Sequence, residues 1–360
     1  MKIWLLQDHL RSGGTERQTI LLARAFNTAG HAVEVVTFRP GGTLAPTLAP
    51  IPHRCLQFFD TTLNWFAPGL LRAARSASPD VILCMGRMAN CHAGRLARAL
   101  PATTVVGTMR TGKPLPWLFR SSLHRVAHVV ANSAESAGIL THTYGLPADR
   151  VSVIHNALVF PPATEIARDD ALRAQHGAGP DTRVLLCVGM LRPEKNQRAL
   201  VEIAAALGRD ADWQLWIAGD GPARADCEAL AAQLNVSDRV KFLGFQSNPT
   251  PLYAAADIAV LASQAESLSN FLIEAQAHGL PAVAYAAAGV TECMRPSVSG
   301  WVIPHGERTA FLNALHPLMT DVVLREQAGR AAREFARTAF DPERQAGAYL
   351  TLFNRLRSKV

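Results

Sequence analysis

Two acidic side chains, eight positions apart in the stretch 263–275, are the first candidates for ligand chemistry. Glu266 falls in a loop directly after a predicted strand, and Glu274 lies about one turn inside the next predicted helix. A carboxylate in a loop can accept hydrogen bonds from sugar hydroxyls. A carboxylate about one turn inside a helix can accept hydrogen bonds from the two hydroxyls of a ribose. Ser269 and Asn270, between them, could cap that helix and present backbone N–H groups to phosphate. Because such spacing is frequent by chance, the pair needs support from its surroundings.

Cations that could meet an anionic ligand follow another predicted strand, 184–188. Gly189 ends that strand, and Arg192 and Lys195 precede the next helix. Arginine offers a bidentate fork and lysine a compact charge, so together they could grip a diphosphate and neutralise it as it leaves, without a metal. A solvated loop is the alternative explanation. The nearby Gly-Asp-Gly-Pro at 219–222 indicates a structural turn.

The first half of the chain contains weaker candidates. Gly13 and Gly14 separate the first predicted strand from a helix, where a backbone can approach an anion closely. A plain turn between strand and helix explains the same glycines. Arg110 and Lys113 follow another strand end and could face a ligand. The segment 115–126 mixes Trp, Phe and Leu with Arg and His, as an interfacial membrane helix does, or as a surface helix with its apolar face in the core does.

Short apolar strands alternate with helical stretches along the whole chain. The predicted strands are 2–7, 32–37, 80–84, 103–107, 127–131, 184–188, 213–218, 239–243, 257–261 and 281–285. The predicted helices between them include 16–29, 89–99, 197–207, 222–234, 270–278 and 307–319. Regular β-α alternation predicts parallel sheets with helices on both faces.

This alternation occurs on both sides of Pro161-Pro162, which can continue neither a helix nor a central strand. The sequence therefore predicts an α/β fold of two doubly wound, Rossmann-like domains, residues 1–160 and 163–341. An amphipathic helix, 342–360, is expected to return to the first domain. Since ligands in open α/β sheets bind outside the carboxyl ends of strands, we expect the two domains to face each other across a deep cleft.

Composition and charge narrow the function classes. No apolar run reaches the ~18 residues of a spanning helix, and the apolar start is too short for a secretion signal, so we read it as a strand. Six cysteines without a C-x-x-C pair favour the cytoplasm. Residues 1–160 carry 16 Lys+Arg and 7 Asp+Glu, a net of +9, whereas residues 161–360 carry 20 and 22, a net of −2.

The basic first half could meet an anionic membrane surface, a phosphorylated acceptor or nucleic acid, or it could simply be a solvated surface. Nucleic acid is the weakest of these candidates, because the arginines lack an interleaved aromatic platform.

Taken in order, these motifs resemble the GT-B-fold retaining glycosyltransferases of family 4, also called glycosyl transferases group 1. The resemblance covers nearly the whole chain and rests on the order and spacing of its parts. Those parts are residues 13–17, 131–133, 153–156, 189–195, 219–222 and 239–244, and the Glu266-x7-Glu274 pair. The sequence of residues 266–275 resembles that of family members that build lipopolysaccharide, O-antigen or capsule.

The resemblance implies a role for each matching position. Arg192 and Lys195 would hold the donor diphosphate, Glu274 the ribose, and Glu266 the transferred sugar or its phosphate. The remaining donor-site positions would be Gly13, Gly14, Gly189, Phe245, Gln246, Leu268, Ser269 and Asn270, with Phe245 and Gln246 near the base. Arg110 stands where many members carry a histidine, and it is the fourth catalytic candidate beside Arg192, Lys195 and Glu266.

The chain departs from the family pattern in places. Met190 stands where many members carry arginine directly after the glycine, so we assign that role to Arg192. The run 155–157, His-Asn-Ala, replaces a more usual Pro-Asn-Gly.

The implied function is metal-independent, retaining transfer of a hexose or N-acetylhexosamine from a nucleotide-diphosphate sugar, with UDP favoured as the nucleotide. The acceptor would be lipid-linked, lipopolysaccharide or polysaccharide, reached from the cytoplasm at the inner face of the membrane. No cofactor is expected. One alternative is a sugar-nucleotide epimerase on the same scaffold, which would convert the donor without an acceptor. Another is a non-catalytic nucleotide-sugar-binding protein, against which Glu266, Glu274 and Lys195 argue.

Overall fold

A computed structural model describes residues 1–11, 13–112, 114–161 and 167–358 of the chain. The chain divides into two compact units, Met1–Ala157 with Phe340–Val360, and Leu158–Ala339. Each unit is built on one parallel sheet, which confirms the predicted α/β class with two doubly wound domains. Lys113 and Pro162, both named above, lie outside the described residues, as do the last two positions of the predicted helix 342–360.

The sheet of the first unit has seven strands in the order β3-β2-β1-β4-β5-β6-β7. The strands are β1 (Lys2–Gln7), β2 (Ala32–Thr37), β3 (His53–Cys55), β4 (Val81–Cys84), β5 (Thr104–Met109), β6 (His128–Ala131) and β7 (Val151–Val153). Leu5 of β1 lies in register with Val35 on one side and Leu83 on the other. Central strands are buried on both faces, which is why they read as continuous apolar runs.

Helices of the first unit cover both faces of this sheet. They are α1 (Gly14–Thr28), α2 (Leu70–Ala77), α3 (Arg87–Ala99), α4 (Trp117–Leu123) and α5 (Ala134–Gly138). Because side chains alternate along a strand, Ile3 and Leu5 of β1 enter one core, and Trp4 and Leu6 enter the other. In α4, Phe119 and Leu123 are buried in the core, whereas Trp117 and Leu118 are exposed, so the helix buries only part of the apolar side chains of the segment 115–126.

The sheet of the second unit has six strands in the order β10-β9-β8-β11-β12-β13. The strands are β8 (Arg183–Val188), β9 (Trp213–Ala218), β10 (Val240–Gly244), β11 (Ile258–Leu261), β12 (Ala282–Tyr285) and β13 (Gly300–Ile303). Its helices are α6 (Asp170–Gln175), α7 (Gln197–Ala205), α8 (Arg224–Gln233), α9 (Thr250–Ala255), α10 (Asn270–Ala277), α11 (Arg308–Thr320) and α12 (Val322–Ala339). Buried residues of β8, β9 and β11, including Leu185, Leu215 and Val260, form the centre of one core.

The final helix, α13 (Pro342–Arg357), follows the second unit in sequence but packs within the first. Asp341 caps its first turn by accepting from the Arg344 backbone N–H at 2.7 Å. Tyr349 and Phe353 pack edge-on against Phe26 of α1, with the Phe353 ring centroid 5.8 Å from that of Phe26. Buried aromatic contact thus fixes this helix on the first sheet.

Three strands that the sequence analysis did not predict, β3, β7 and β13, lie at edges of the sheets. Edge strands are short and half-exposed, so they lack the apolar runs of central strands. The long helix α12 was also missed. It buries only small residues, Ala328, Gly329, Ala332 and Ala336, and so shows no stripe of large apolar side chains. Among the described residues, no helix combines the length and apolar character needed to cross a bilayer.

Candidate functional site

The strand order of the second sheet reverses between β8 and β11, which are neighbours in space. From β8 the chain continues to β9 on one side, whereas β11 leads to β12 on the other. The loops that follow such strands diverge and leave a crevice at their carboxyl ends. Here the two loops are joined directly, because the Gln264 N–H donates to the Glu194 carbonyl oxygen at 2.9 Å.

Lys195 and Glu266, which follow β8 and β11, meet at this reversal point. The distance from Lys195 Nζ to Glu266 Oε1 is 2.6 Å, and the side chains are 29% and 8% exposed. A carboxylate with so little access to water needs a hydrogen-bonding cation, and the ammonium supplies it. Lys195 ends a short 3-10 turn, after which Asn196 adopts a left-handed conformation with φ of 51° and turns the chain into α7.

Arg192 begins the same turn and is more accessible to solvent than Lys195. Its guanidinium Nη1 lies 4.0 Å from Glu194 Oε1, a loose ion pair, and its side chain is 43% exposed. The guanidinium therefore stands at the solvent side of a loop whose inner end carries the lysine. One loop thus carries an arginine and a lysine, and each of these side chains could bind one phosphate of a diphosphate.

The glycines of the loop after β9 hold the loop after β8 in place. Gly219 has a φ of +139°, and a Cβ there would lie 1.9 Å from the Gly189 carbonyl oxygen. Gly221 has a φ of +154°, and its Cβ would lie 2.3 Å from the Leu191 oxygen. The Leu191 N–H also donates to the Asp220 carbonyl oxygen at 3.0 Å. Only glycine allows two backbones to approach this closely, so the Gly-Asp-Gly-Pro motif determines the conformation of the loop after β8.

The helix after Glu266 begins as its sequence indicates. Ser269 is the N-cap of α10, with its Oγ accepting from the Leu272 N–H at 3.4 Å, and Asn270 is the first helical residue. Glu274 lies one turn further along. Its Oε2 accepts from the Tyr253 hydroxyl at 2.5 Å. Tyr253, on α9, orients this carboxylate, and no sequence motif marks it.

Leu268 and the loop after β12 complete this edge of the sheet. Leu268 is buried, with 6% of its surface exposed. Gly289 has a φ of +68°, and a Cβ there would lie 1.9 Å from the Ser267 carbonyl oxygen. The backbone of the β12 loop therefore packs directly on the loop that contains Glu266.

Phe245 and Gln246 follow β10, the edge strand beyond β9. Phe245 is exposed, whereas the Gln246 side chain is held by donating from Nε2 to the Leu243 carbonyl oxygen at 2.8 Å. The Gly219 N–H donates to the Gly244 oxygen at 2.7 Å and connects this strand end to the neighbouring loop. An exposed aromatic ring at this edge is available for stacking.

The paired glycines of the first unit lie at a helix start that already has a carboxylate beside it. Gly13 is the N-cap residue of α1, and Gly14 is the first residue of the helix. A Cβ on Gly13 would lie 2.4 Å from Glu16 Oε2, so the Glu16 side chain folds over the helix N-terminus. Burial raises the pKa of Glu16 above its ordinary value. An external anion approaching Gly13 would have to displace this side chain.

Asp8, which the sequence analysis did not select, lies where the order of the first sheet reverses, between β1 and β4. Its two carboxylate oxygens accept from the Met88 N–H at 3.0 Å and the Ala89 N–H at 2.7 Å, at the start of α3. Burial raises the pKa of Asp8 to about 6 despite these hydrogen bonds. No motif marked this residue, because its partners depend on the strand order.

Arg110 follows β5 in the first unit and is occupied by two hydrogen bonds. Its Nη1 donates to Asn156 Oδ1 at 2.5 Å, and its Nη2 donates to the Tyr349 hydroxyl at 2.7 Å. Arg110 thus connects the edge of the first sheet to α13. These contacts fix the position of its guanidinium, and its catalytic role stays a prediction; the other three catalytic candidates lie in the second unit.

The structure therefore divides the predicted site residues between the two units. Those at the carboxyl edge of the second sheet are Gly189, Arg192, Lys195, Phe245, Gln246, Glu266, Leu268, Ser269, Asn270 and Glu274. Those in the first unit are Gly13, Gly14 and Arg110.

Two family models match this chain. The model described as glycosyl transferases group 1 matches residues 168–335, and the model described as Glycosyltransferase Family 4 matches residues 12–158. Together they cover most of both units.

Curated relatives show the same likeness. D-inositol 3-phosphate glycosyltransferase of Kribbella flavida is 32% identical, across 90% of this chain and 87% of the relative. Lipopolysaccharide core biosynthesis glycosyltransferase LpsE of Rhizobium meliloti is 32% identical across 50% of this chain and 52% of its own length. The chain thus spans about half the length of several curated relatives that it matches.

Among solved structures, Alr3699/HepE of Anabaena in complex with UDP has a TM-score of 0.83. Its sequence is 22% identical, and the match covers 99% of this chain and 100% of that chain. The two proteins share a fold over their whole length.

Proposed function

The chain belongs to the group 1 glycosyl transferases, and we propose that it is a retaining enzyme which moves a hexose or N-acetylhexosamine from a UDP-sugar to a saccharide or lipid-linked acceptor. One observation carries the proposal. Lys195 and Glu266, from loops far apart in sequence, form a 2.6 Å ion pair at the reversal point of the second sheet. Arg192 and Glu274 lie at the same edge of that sheet, so cations and carboxylates for both parts of a sugar nucleotide are present.

The diphosphate would bind the two cations of the loop after β8. An ammonium has three N–H donors, and Glu266 occupies one, so Lys195 retains donors for phosphate oxygens. The ion pair also fixes the direction of the ammonium. Arg192, at the outer end of the loop, would take the second phosphate with its planar fork.

The carboxylates would recognise the sugars on either side of the diphosphate. A carboxylate has about four acceptor positions, and Lys195 occupies one on Glu266, so this residue can accept from hydroxyls of the transferred sugar. Glu274 receives the Tyr253 hydroxyl on Oε2 and would accept from the ribose hydroxyls. The exposed ring of Phe245 would stack on the base.

The transfer needs little from a side-chain base. The acceptor hydroxyl would attack the anomeric carbon on the face from which the diphosphate leaves. A carbon–oxygen bond to the acceptor forms as the bond to the phosphate oxygen breaks, and that phosphate oxygen takes the acceptor proton. Lys195 and Arg192 would stabilise the charge that develops on the leaving diphosphate, without a metal or another cofactor.

Two of the similar proteins support the proposed donor and acceptor classes. The Anabaena structural neighbour was solved with UDP, which favours uracil as the base. The name of the Rhizobium relative points to a lipopolysaccharide-type acceptor. Such an acceptor would be reached from the cytoplasmic face of a membrane, and the net charge of +9 in residues 1–160 is compatible with an anionic surface there.

A thermal-shift series with UDP, GDP and ADP, followed by their sugars, tests the donor. UDP at one hundred times its Kd would stabilise the second unit by about 2.7 kcal/mol and raise its Tm by about 5–10 °C. Absence of a shift with every nucleotide would reject the proposal. Once a donor is known, NMR of the product tests retention, which requires an α-linked donor to give an α-linked product.

A further inference from the structure

Tyr253 is a buried aromatic residue of the second unit whose polar end meets the carboxylate assigned to ribose. Only 2% of its surface is exposed, and it lies on α9. Its hydroxyl donates to Glu274 Oε2 at 2.5 Å. A separation of about 2.5–2.7 Å is typical of a hydroxyl that donates to an ionised carboxylate, which is a stronger hydrogen bond than one between neutral groups. The contact is therefore strong enough to influence where the carboxylate lies.

The ring of Tyr253 is held by one face of α10. It stacks on the His278 ring, with centroids 4.8 Å apart and an angle of 23° between the planes. It also lies nearly parallel to the Phe271 ring, with centroids 6.2 Å apart and an angle of 22°. Phe271, Glu274 and His278 are three and four positions apart, so they share one face of the helix. Two ring contacts on that face thus fix the position of the tyrosine hydroxyl beside Glu274.

Helix α9, which carries this tyrosine, is anchored to the sheet at its C-terminal end. The buried Arg173 of α6 donates from Nη1 to the Ala255 carbonyl oxygen at 2.7 Å and to Asp257 Oδ2 at 3.0 Å. The same Asp257 oxygen accepts from the Val184 N–H of β8 at 2.8 Å. Hydrogen bonds of buried charged groups are strong and restrict movement. Tyr253 therefore presents its hydroxyl from a rigid support.

Glu274 stands at the one accessible position of this part of α10. Among residues 271–278, all of which the structure describes, Glu274 alone is partly exposed and the others are buried. A carboxylate has about four acceptor positions, enough for the tyrosine hydroxyl and for both hydroxyls of a ribose. Immobilising a flexible side chain when a ligand binds lowers affinity by about 2- to 10-fold. A glutamate that is already held in place avoids this loss.

We propose that Tyr253 is a positioning residue, which holds Glu274 in the orientation that binds ribose and so makes the site select nucleotides with an intact ribose diol. The loop 245–249 directly precedes α9, so one helix connects the residues proposed to contact the base with the carboxylate proposed to contact the ribose. The inference rests on the proposed function, because it takes Glu274 as the ribose-binding carboxylate. It adds the residue that gives this carboxylate its direction.

Titration calorimetry with UDP and with 2′,3′-dideoxy-UDP, which lacks both ribose hydroxyls, tests the role of Tyr253. Loss of hydrogen bonds to a carboxylate raises Kd by about 10-fold or more, so the wild type should bind UDP at least about 10-fold more tightly than the dideoxy form. Tyr253→Phe retains the ring and removes only the hydroxyl. It should weaken UDP binding about fivefold, leave the Kd of the dideoxy form within about twofold, and so reduce the ratio of the two Kd values about fivefold.

This ratio separates positioning from a purely structural role. A variant that only loosened the second unit would weaken both nucleotides alike, because they share the base and the diphosphate. Tyr285→Phe is the matched control. It removes another buried tyrosine hydroxyl of the second unit, one that forms no hydrogen bond within the part of the chain that the structure describes. The control should retain the wild-type ratio, and an equal reduction in Tyr285→Phe would overturn the inference.

Glu274→Ala distinguishes failure of this inference from failure of the proposed function. This variant should bind UDP and 2′,3′-dideoxy-UDP with similar affinity. If Glu274→Ala loses the ratio while Tyr253→Phe keeps it, the tyrosine does not position the carboxylate, and the inference is overturned while the ribose role of Glu274 stands. If the wild type binds both nucleotides equally, or if Glu274→Ala still prefers UDP, Glu274 does not bind the ribose and both proposals fail at this residue.

Discussion

Replacement of Lys195 by alanine should weaken both the folded state of the second unit and its binding of UDP. The ammonium lies 2.6 Å from a Glu266 carboxylate that is only 8% exposed. Removing one partner of a buried ion pair costs about 3–5 kcal/mol. Lys195 itself is 29% exposed, so water can reach part of the space it leaves. We therefore expect a loss of about 2 kcal/mol and a fall in Tm of about 4–8 °C.

The effect on UDP binding has a separate origin. A hydrogen bond from an ammonium to a charged phosphate contributes about 1.5–3 kcal/mol, which corresponds to about a 10- to 100-fold rise in Kd when it is lost. Glu266, deprived of its cation, would also repel the diphosphate. By contrast, Glu266→Gln keeps the lysine and removes the repulsion, so UDP binding should persist while turnover with a UDP-sugar falls.

Titration calorimetry with UDP and denaturant unfolding, carried out on the same variants, separate these effects. Lys195→Arg keeps the charge and should recover part of the stability, though the planar guanidinium cannot reproduce the ammonium geometry. Arg198→Ala is the matched control, since its exposed pair with Glu202 at 3.5 Å should contribute less than about 0.5 kcal/mol. If Lys195→Ala lowered stability but left UDP affinity intact, the ion pair would be structural and the donor-site reasoning would be refuted.

Two further changes test the loop geometry and the buried acid. Gly219→Ala should destabilise the second unit by about 3 kcal/mol and weaken UDP binding, since its Cβ would lie 1.9 Å from the Gly189 oxygen. The control Gly347→Ala has open space around its Cβ inside the exposed face of α13, so it should be as stable as the wild type or more stable by up to about 1 kcal/mol. Burial raises the pKa of Asp8 from 3.8 to about 6, so the folded state binds more protons than the unfolded state between these values. The free energy of unfolding from this group should therefore fall by up to about 3 kcal/mol as pH rises from about 4 to about 6. Asp8→Asn should lack that fall in pH-dependent unfolding, and equal slopes in both proteins would contradict the assignment.

The fold could be predicted from the sequence where a single run of residues is apolar enough to indicate a buried strand. The runs at 2–7 and 213–218 are mostly apolar, because central parallel strands are buried on both faces, and the structure has strands at those positions. The three-residue strand His53–Cys55 is half-exposed and forms by pairing with β2, which its own sequence does not encode. Helix Val322–Ala339 buries alanine and glycine, so its packing face lacks the large apolar side chains by which the other helices were identified.

Candidate site residues could be chosen from the sequence one by one, but the contacts between them could not. Lys195 and Glu266 were chosen separately, and their ion pair depends on β8 and β11 being neighbours, which follows from the strand order. Asp8 and Tyr253 have partners supplied by distant helices and carry no local motif. The contact between Glu16 and Gly13, by contrast, has a local sequence signal. A glutamate three residues after an N-cap residue has the spacing of a capping box.

An experimental structure of the protein with UDP bound would show whether the loop after β8 holds the diphosphate. We expect a diphosphate oxygen within hydrogen-bonding distance of Lys195 Nζ and the ribose hydroxyls on the Glu274 carboxylate. A diphosphate bound away from the loop after β8, with the Lys195–Glu266 pair unaltered and untouched, would contradict it.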